Sequence, residues 1–287
     1  MHRTQPWLGT LVTLGVQGVP VRQCDKFFRR GFAAIAAIHE LMSFHDPRSD
    51  VSRLNREAWR RPVAVDPRTL TVLRLARRIA AASAGVFDIT VASALVSSGF
   101  LPRPAGAPEP DPQASWRDIT LHNDGRVRFC KPLWIDLGGI AKGYAVDAAL
   151  LCRPRTPQSS VSINAGGDLR VAGPGATEVL LHVAGLALTR LPLVALTNRA
   201  LASSCGQPAR RWRHRAWVSP HRHGATHRNL STTRFVSVVA QRCAVADALT
   251  KVVLARGAAA APVLRKFHAQ AFVHNPARGW QRIGKVR

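Results

Sequence analysis

Three stretches of the 287-residue chain set polar groups where chemistry is possible. In Ile135-Asp136-Leu137-Gly138-Gly139-Ile140-Ala141-Lys142-Gly143-Tyr144-Ala145-Val146-Asp147, an apolar run ends in paired glycines and a helix-forming run follows. Such a joint turns backbone N–H groups and the positive end of a helix dipole toward the turn, which suits a phosphate. Lys142 falls in the first helical turn, where a cation opposes the dipole unless an anion is bound nearby. A plain strand–turn–helix joint with a solvated lysine explains the same letters equally well. Asp247 and Lys251 stand four residues apart and share a helix face. Asp247, read as first-turn, is either a hard oxygen ligand for Mg²⁺, the ion pyrophosphate chemistry uses, or a carboxylate paired with Lys251. Taken alone, the pair is the simpler account. In Gly85-Val86-Phe87-Asp88-Ile89-Thr90, an apolar pair beside a carboxylate and a hydroxyl suits a flavin or adenine pocket, although such a stretch is more often just the next strand.

These groups need elements to hold them. Residues 7–16 alternate as a strand does, and 24–42 carry Phe28, Phe32, Ile35, Ile38 and Met42 along one helical stripe. Asp66 and Pro67 supply an N-cap and a first-turn proline for a second helix, whose face is Leu70, Leu73, Ala76 and Ala80. Gly85 closes it. Proline-rich 101–116 reads as a surface loop, and 133–137 as a strand entering the paired glycines. A helix over 140–151 and a strand over 159–164 follow, the strand ending in Asn164-Ala165-Gly166-Gly167-Asp168. Residues 207–232, rich in Arg, His and Ser, read as an irregular loop. A strand over Phe235–Ala240 and a helix over 245–256, closed by Gly257, complete the pattern. No repeat and no regular βαβ alternation occurs. The expected class is therefore α+β, with mixed, largely antiparallel sheets flanked by helices, in one domain over 1–287.

Composition sets the outer bounds. An apolar fraction of 46% is ordinary for a folded chain, whereas a net charge of +25 is not. Only six of the basic residues are lysines (Lys26, Lys131, Lys142, Lys251, Lys266, Lys285). The arginines come in scattered pairs such as Arg29-Arg30, Arg60-Arg61, Arg77-Arg78 and Arg210-Arg211. Scatter of that kind reads as a solvated surface rather than a binding block. The cysteines (Cys24, Cys130, Cys152, Cys205, Cys243) form no C-x-x-C and are odd in number, which fits a reducing compartment. The apolar stretch 179–196 is broken by His182 and Arg190, so no membrane span is expected. Neither a cleavage site nor a lipidated cysteine is visible near the N-terminus. As written, the chain is expected to be soluble and cytoplasmic, or on the periplasmic side if a leader was removed.

The order and spacing of these stretches resemble the FAD:protein FMN transferase (ApbE) family. Residues 135–147 resemble its D-L-G-G-I-A-K-G-Y-x-x-D signature almost letter for letter. Gly85-Val86-Phe87-Asp88-Ile89-Thr90-Val91 is similar to its G-x-F-D-x-T box, and Ala246-Asp247-Ala248-Leu249 to its late A-D-A-L box. Met42-Ser43-Phe44-His45-Asp46-Pro47 and Ser162-Ile163-Asn164-Ala165-Gly166-Gly167-Asp168 resemble its early motif and a following strand, so the likeness spans about residues 8 to 257. The resemblance implies an FAD site between mixed sheet and helices, with Mg²⁺ on the pyrophosphate. The implied reaction moves FMN from FAD to a threonine hydroxyl of an acceptor protein and releases AMP. Carried over, the flavin nucleotide meets His45, Val86, Phe87, Asp88, Asp136 and Lys142, and the metal meets Asp247, the carbonyl of Gly139 and position 251.

Departures from the family pattern gather on the catalytic side. Lys251 stands where the family places a metal-binding threonine, Cys205-Gly206 replaces its Ser-Gly turn, and Leu8 replaces a methionine. Its H-x-x-D-P-x-T-G loop corresponds to Ala216-Trp217-Val218-Ser219-Pro220 with His221-Arg222-His223-Gly224, without the histidine or the aspartate. Two further readings stand beside transfer. One is an FAD-binding protein without transfer activity, or an FAD pyrophosphatase. The other is a basic nucleic-acid-binding protein, against which no recognition module or basic-aromatic interleaving is present.

Overall fold

The computed structural model describes residues 1–183, 185–205, 209–210, 217–230 and 234–284. The strand expected over 7–16 is part of a hairpin, β1 (His2–Trp7) and β2 (Thr10–Gln17). Leu8 and Gly9 both take left-handed φ, 56° and 71°, and make the two-residue turn that period-2 alternation cannot reveal. Helix α1 (Val21–Met42) buries the expected stripe together with Phe27. After α2 (Asp50–Glu57) and the short strand β3 (Val63–Ala64), α3 (Pro67–Ala82) starts where expected, with the Asp66 side chain accepting the N–H of Arg68.

Residues 85–90 form no strand. The Asp88 carboxylate accepts both the N–H and the hydroxyl of Thr90, each at 2.9 Å. That local capture folds the chain into a helical turn, Ile89–Val91, and then α4 (Ala92–Ser97). Between there and Ser115 the chain has neither helix nor strand, as the proline-rich loop required. Strands β4 (Ile119–Leu121) and β5 (Arg126–Phe129) pair beside β3. Residues 133–137 join no ladder. Their ladder partner is replaced by the Asn55 side chain, which accepts from Ile135 N–H at 2.8 Å and donates to its carbonyl at 3.1 Å.

The remaining elements are α5 (Ala141–Leu150), β6 (Ser160–Ala165), β7 (Asp168–Ala172), β8 (Thr177–Leu180), β9 (Leu193–Leu196) and β10 (Ala200–Cys205). After them come β11 (Ala209–Arg210), β12 (Trp217–Val218), β13 (Phe235–Ala240), α6 (Cys243–Arg256), α7 (Ala261–Lys266), β14 (Gln270–Asn275) and β15 (Gly279–Ile283). The eight-stranded sheet runs β1-β2-β6-β7-β10-β13-β14-β15, antiparallel at every pairing. The class is α+β. Helices α5 and α6 pack on this sheet, and α1 packs on α5. Alternation along β13 sends Val236, Val238 and Ala240 into the main core and Val239 into a smaller one shared with Leu181, Val194 and Leu196.

Helix α6 begins at Cys243, earlier than the expected 245, so Asp247 lies in its second turn. The cause is remote in sequence. Asp147 of α5 accepts the N–H groups of Cys243 at 2.9 Å and Ala244 at 3.1 Å and so caps α6. In return, Asp247 accepts the Gly143 N–H of α5 at 3.3 Å. The two helices approach so closely that a Cβ on Gly143 would lie 2.4 Å from the Cys243 carbonyl oxygen.

Candidate functional site

The reciprocal α5–α6 clasp forms one wall of a cleft of about 480 Å³. Val86, Phe87, Asp88, Asp136, Gly139, Lys142 and Lys251 all line it. The structure thus gathers every residue singled out for the site except His45, which is exposed, and Asp247, which is 1% exposed and lies beneath Lys251. His45 sits at the rim, near enough for its charge to act on Asp136. Further residues complete the lining. Leu95, Phe100 and Leu101 add apolar surface, and Ser203 and Ser204 add hydroxyls that no local motif marks, because β10 reaches the cleft only through the sheet. His221 and Arg222, from the loop that departs from the family pattern, add further polar groups. Gly224 fixes that loop, since a Cβ there would lie 2.2 Å from the Gly85 carbonyl oxygen. Ala216, one of the departures, lies outside the described residues, as does Gly206, whereas Cys205 lines the cleft.

Electrostatics divides the cleft into a charged floor and a drier mouth. Lys142 lies 3.0 Å from Asp168 Oδ2, and Lys251 pairs with Asp247 Oδ1 while donating to the Asp247 carbonyl at 3.1 Å. Burial works against the Lys142 charge, but Asp247 and Asp168 outweigh it and hold the ammonium above its ordinary range. Burial also favours a neutral Asp247, yet Lys251 and Lys142 outweigh it and hold this carboxyl low. Asp168 goes the other way. Burial, reinforced by Asp247, pushes it up to about 7 against the pull of the two lysines. Burial raises Asp136 as well, only partly offset by the Gly138 N–H and by His45 and Lys251. Asp88 is also raised by burial, against N–H groups donated by Thr90 and Trp116, so its carboxylate is already engaged as a local cap. His221, whose ring nitrogen lies 3.1 Å from the Cys205 carbonyl oxygen, is pushed down to about 4 by burial and then by Lys251. Its ring is neutral at physiological pH. Arg222 is held by the Ser219 carbonyl at 3.1 Å and the Ser98 hydroxyl at 2.6 Å.

Two lysines lining one cleft together with apolar side chains make a receptor for an anion carrying an aromatic body. The Mg²⁺ implied by the resemblance does not fit the same residues. The Asp247 carboxylate and carbonyl are both occupied by Lys251, the Thr250 hydroxyl donates to that same carbonyl at 2.7 Å, and Asp168 faces Lys142. No cluster of three metal-binding side chains exists among the described residues. A divalent ion about 4 Å from the Lys251 ammonium would meet repulsion of roughly 8 kcal/mol at an effective dielectric near 20.

Over 144 residues the chain is 28% identical to an FAD:protein FMN transferase of Vibrio cholerae serotype O1, covering 47% of this chain and 43% of that protein. Over 174 residues it is 26% identical to an FAD:protein FMN transferase of Klebsiella pneumoniae, covering 56% and 50%. The chain thus spans about half the length of the curated relatives it matches. Its fold is similar to the crystal structure of an ApbE protein from Thermotoga maritima, with a TM-score of 0.82 at 21% identity over 99% of this chain and 96% of that one. It is equally similar to the apo flavinyl transferase ApbE of Pseudomonas stutzeri, with a TM-score of 0.81 at 17% identity over 100% and 94%. The sequence profile described as the ApbE family matches residues 8–273, nearly end to end, and the chain belongs to the ApbE family.

Proposed function

We propose that this chain, acting as one ApbE-like domain over 1–287, is an FAD:protein FMN transferase that moves FMN from FAD to a threonine hydroxyl of an acceptor protein and releases AMP. The observation that carries the reading is the pair Lys142 and Lys251 on the floor of a cleft whose walls include Phe87, Phe100 and Leu95. Val86 and Phe87 flank the aromatic body, and His45 covers it from the rim. Asp136, whose carboxyl burial pushes up, offers a hydrogen bond to its polar edge, and Asp88, held as a local cap, shapes the wall beside it. Lys142 reaches the pyrophosphate. The relatives named above as FAD:protein FMN transferases support the same substrate.

In the transfer, the threonine oxygen forms a bond to the flavin-side phosphorus as the bond from that phosphorus to the bridging oxygen breaks. The bond pair leaves with AMP, and the hydroxyl proton passes to solvent. Phosphoryl transfer of this kind asks the protein mainly to position groups and to neutralise charge on the oxygens. Gly139, Asp247 and Lys251 do not make a Mg²⁺ site, so no step is assigned to a metal. The test is incubation of the chain with FAD and a threonine-bearing acceptor, followed by a denaturing gel. Flavin fluorescence that stays with the acceptor band supports transfer. Free FMN and AMP without a labelled band identify a pyrophosphatase, and unchanged FAD a binding protein.

A further inference from the structure

We infer that the Lys251 ammonium replaces the divalent cation at the pyrophosphate, so that this chain binds FAD and transfers FMN without metal. The inference rests on the FAD reading above. Three observations carry it. The Lys251 stem crosses the gap between Gly139 and Asp247, with its Cε 3.4 Å from where a Cβ on Gly139 would stand. An ion joining the Gly139 carbonyl to the Asp247 carboxylate would have to occupy that gap. The ammonium also engages two Asp247 oxygens, the carbonyl at 3.1 Å and the carboxylate Oδ1, and Gly143 N–H takes Oδ2.

The second observation is exposure. A purely structural ion pair would be sealed on both sides, but here the two partners differ. The Asp247 side chain is 2% exposed and the Lys251 side chain 17%, and Lys251 lines the cleft while Asp247 does not. The carboxylate is a buried counter-ion that aims the ammonium outward. Lys142 has the same arrangement over Asp168, with 27% against 1%.

The third is charge. Lys142 faces Asp168 and Lys251 faces Asp247, so the floor holds no surplus of negative charge for a dication to meet. A pyrophosphate brings the negative charge that both ammonium groups can meet with N–H donors. During transfer the same donors face the bridging oxygen as it takes the bond pair and leaves with AMP. The acceptor proton goes to solvent, and no electron is gained or lost.

The experiment measures FAD affinity by calorimetry on the full chain, first in excess EDTA and then in millimolar Mg²⁺. The expected result is the same affinity in both, within about twofold. A gain of about tenfold or more on adding Mg²⁺, or tight binding of Mn²⁺ to the FAD-free protein by electron paramagnetic resonance, overturns the inference. Lys251→Met keeps the stem and removes the charge. In EDTA it should weaken FAD by about tenfold while its thermal melt remains cooperative. Lys251→Arg, which keeps a cation there, should retain most of the affinity. Undiminished binding by Lys251→Met also overturns the inference. Absence of FAD binding by the natural chain in both buffers defeats the FAD reading itself, a different and recognisable outcome.

Discussion

Asp168 is 1% exposed, and neither of its oxygens accepts a well-formed hydrogen bond. Lys142 at 3.0 Å is its partner by charge, with Lys251 further off and Asp247 opposing. A carboxyl raised from 3.8 to about 7 holds its proton more tightly in the folded chain than in the unfolded one. Its contribution to stability is therefore present below 3.8 and is lost as pH rises through about 7. His221, pushed down to about 4, acts in the opposite sense, losing stability as pH falls below its ordinary 6.5. The two are separated by substitution. Asp168→Asn should flatten the decline of the melting temperature toward neutral pH relative to the natural chain, while leaving the acid limb set by His221 in place. An unchanged decline would mean that Asp168 is not the titrating group. FAD should compete for Lys142 and so make the same variant less different from the natural chain in the bound state.

At the scale of elements, α5 and α6 hold the floor in place through a clasp of side chain to main chain. Gly143→Ala puts a methyl 2.4 Å from the Cys243 carbonyl oxygen, and overpacking of that kind costs about 1–3 kcal/mol. Asp147→Ala removes the cap on α6 and the partner of Arg170, and should cost about 2 kcal/mol. Chemical denaturation of both variants checks this, and full stability in either would show that the clasp is slack. The clasp also marks how far the sequence could be read. Helices α1 and α3 were legible because periodicity and the Asp66-Pro67 start are local signals. The strand expected over 133–137 joins no ladder because Asn55, a side chain 80 positions away that leaves no trace in a local pattern, takes the Ile135 backbone groups, and of the two readings of 85–90 the strand fails because Asp88 diverts the backbone. The early start of α6 has the same origin in Asp147. The site was half legible. Its motif residues announced themselves, whereas Phe100, Ser203 and Ser204 arrive by tertiary packing alone.

Across the whole molecule, the net charge of +25 is carried mostly by arginines spread over the surface, and the exposed carboxylates of Asp25, Glu109 and Asp124 each engage a nearby arginine. No helix among the described residues is long and apolar enough to cross a membrane. Nucleic-acid binding should therefore be weak, should collapse with added salt and should show no sequence preference. Fluorescence anisotropy with two unrelated duplexes at two salt concentrations checks this, and selective binding that survives physiological salt would contradict it. The cleft sits where α5, α6, the eight-stranded sheet and the loop through His221 meet, so the chemistry depends on the whole chain rather than on one motif. In the proposed transfer the bond broken is the one between the flavin-side phosphorus and the bridging oxygen, with the threonine oxygen replacing AMP. Mass spectrometry of a threonine-bearing acceptor, after incubation with this chain and FAD labelled separately in its flavin and adenosine halves, tests it. The expected result is one FMN group on the threonine, carrying the flavin label, with all of the adenosine label in free AMP. Adenosine label on the acceptor, or flavin label only in free FMN, would contradict it.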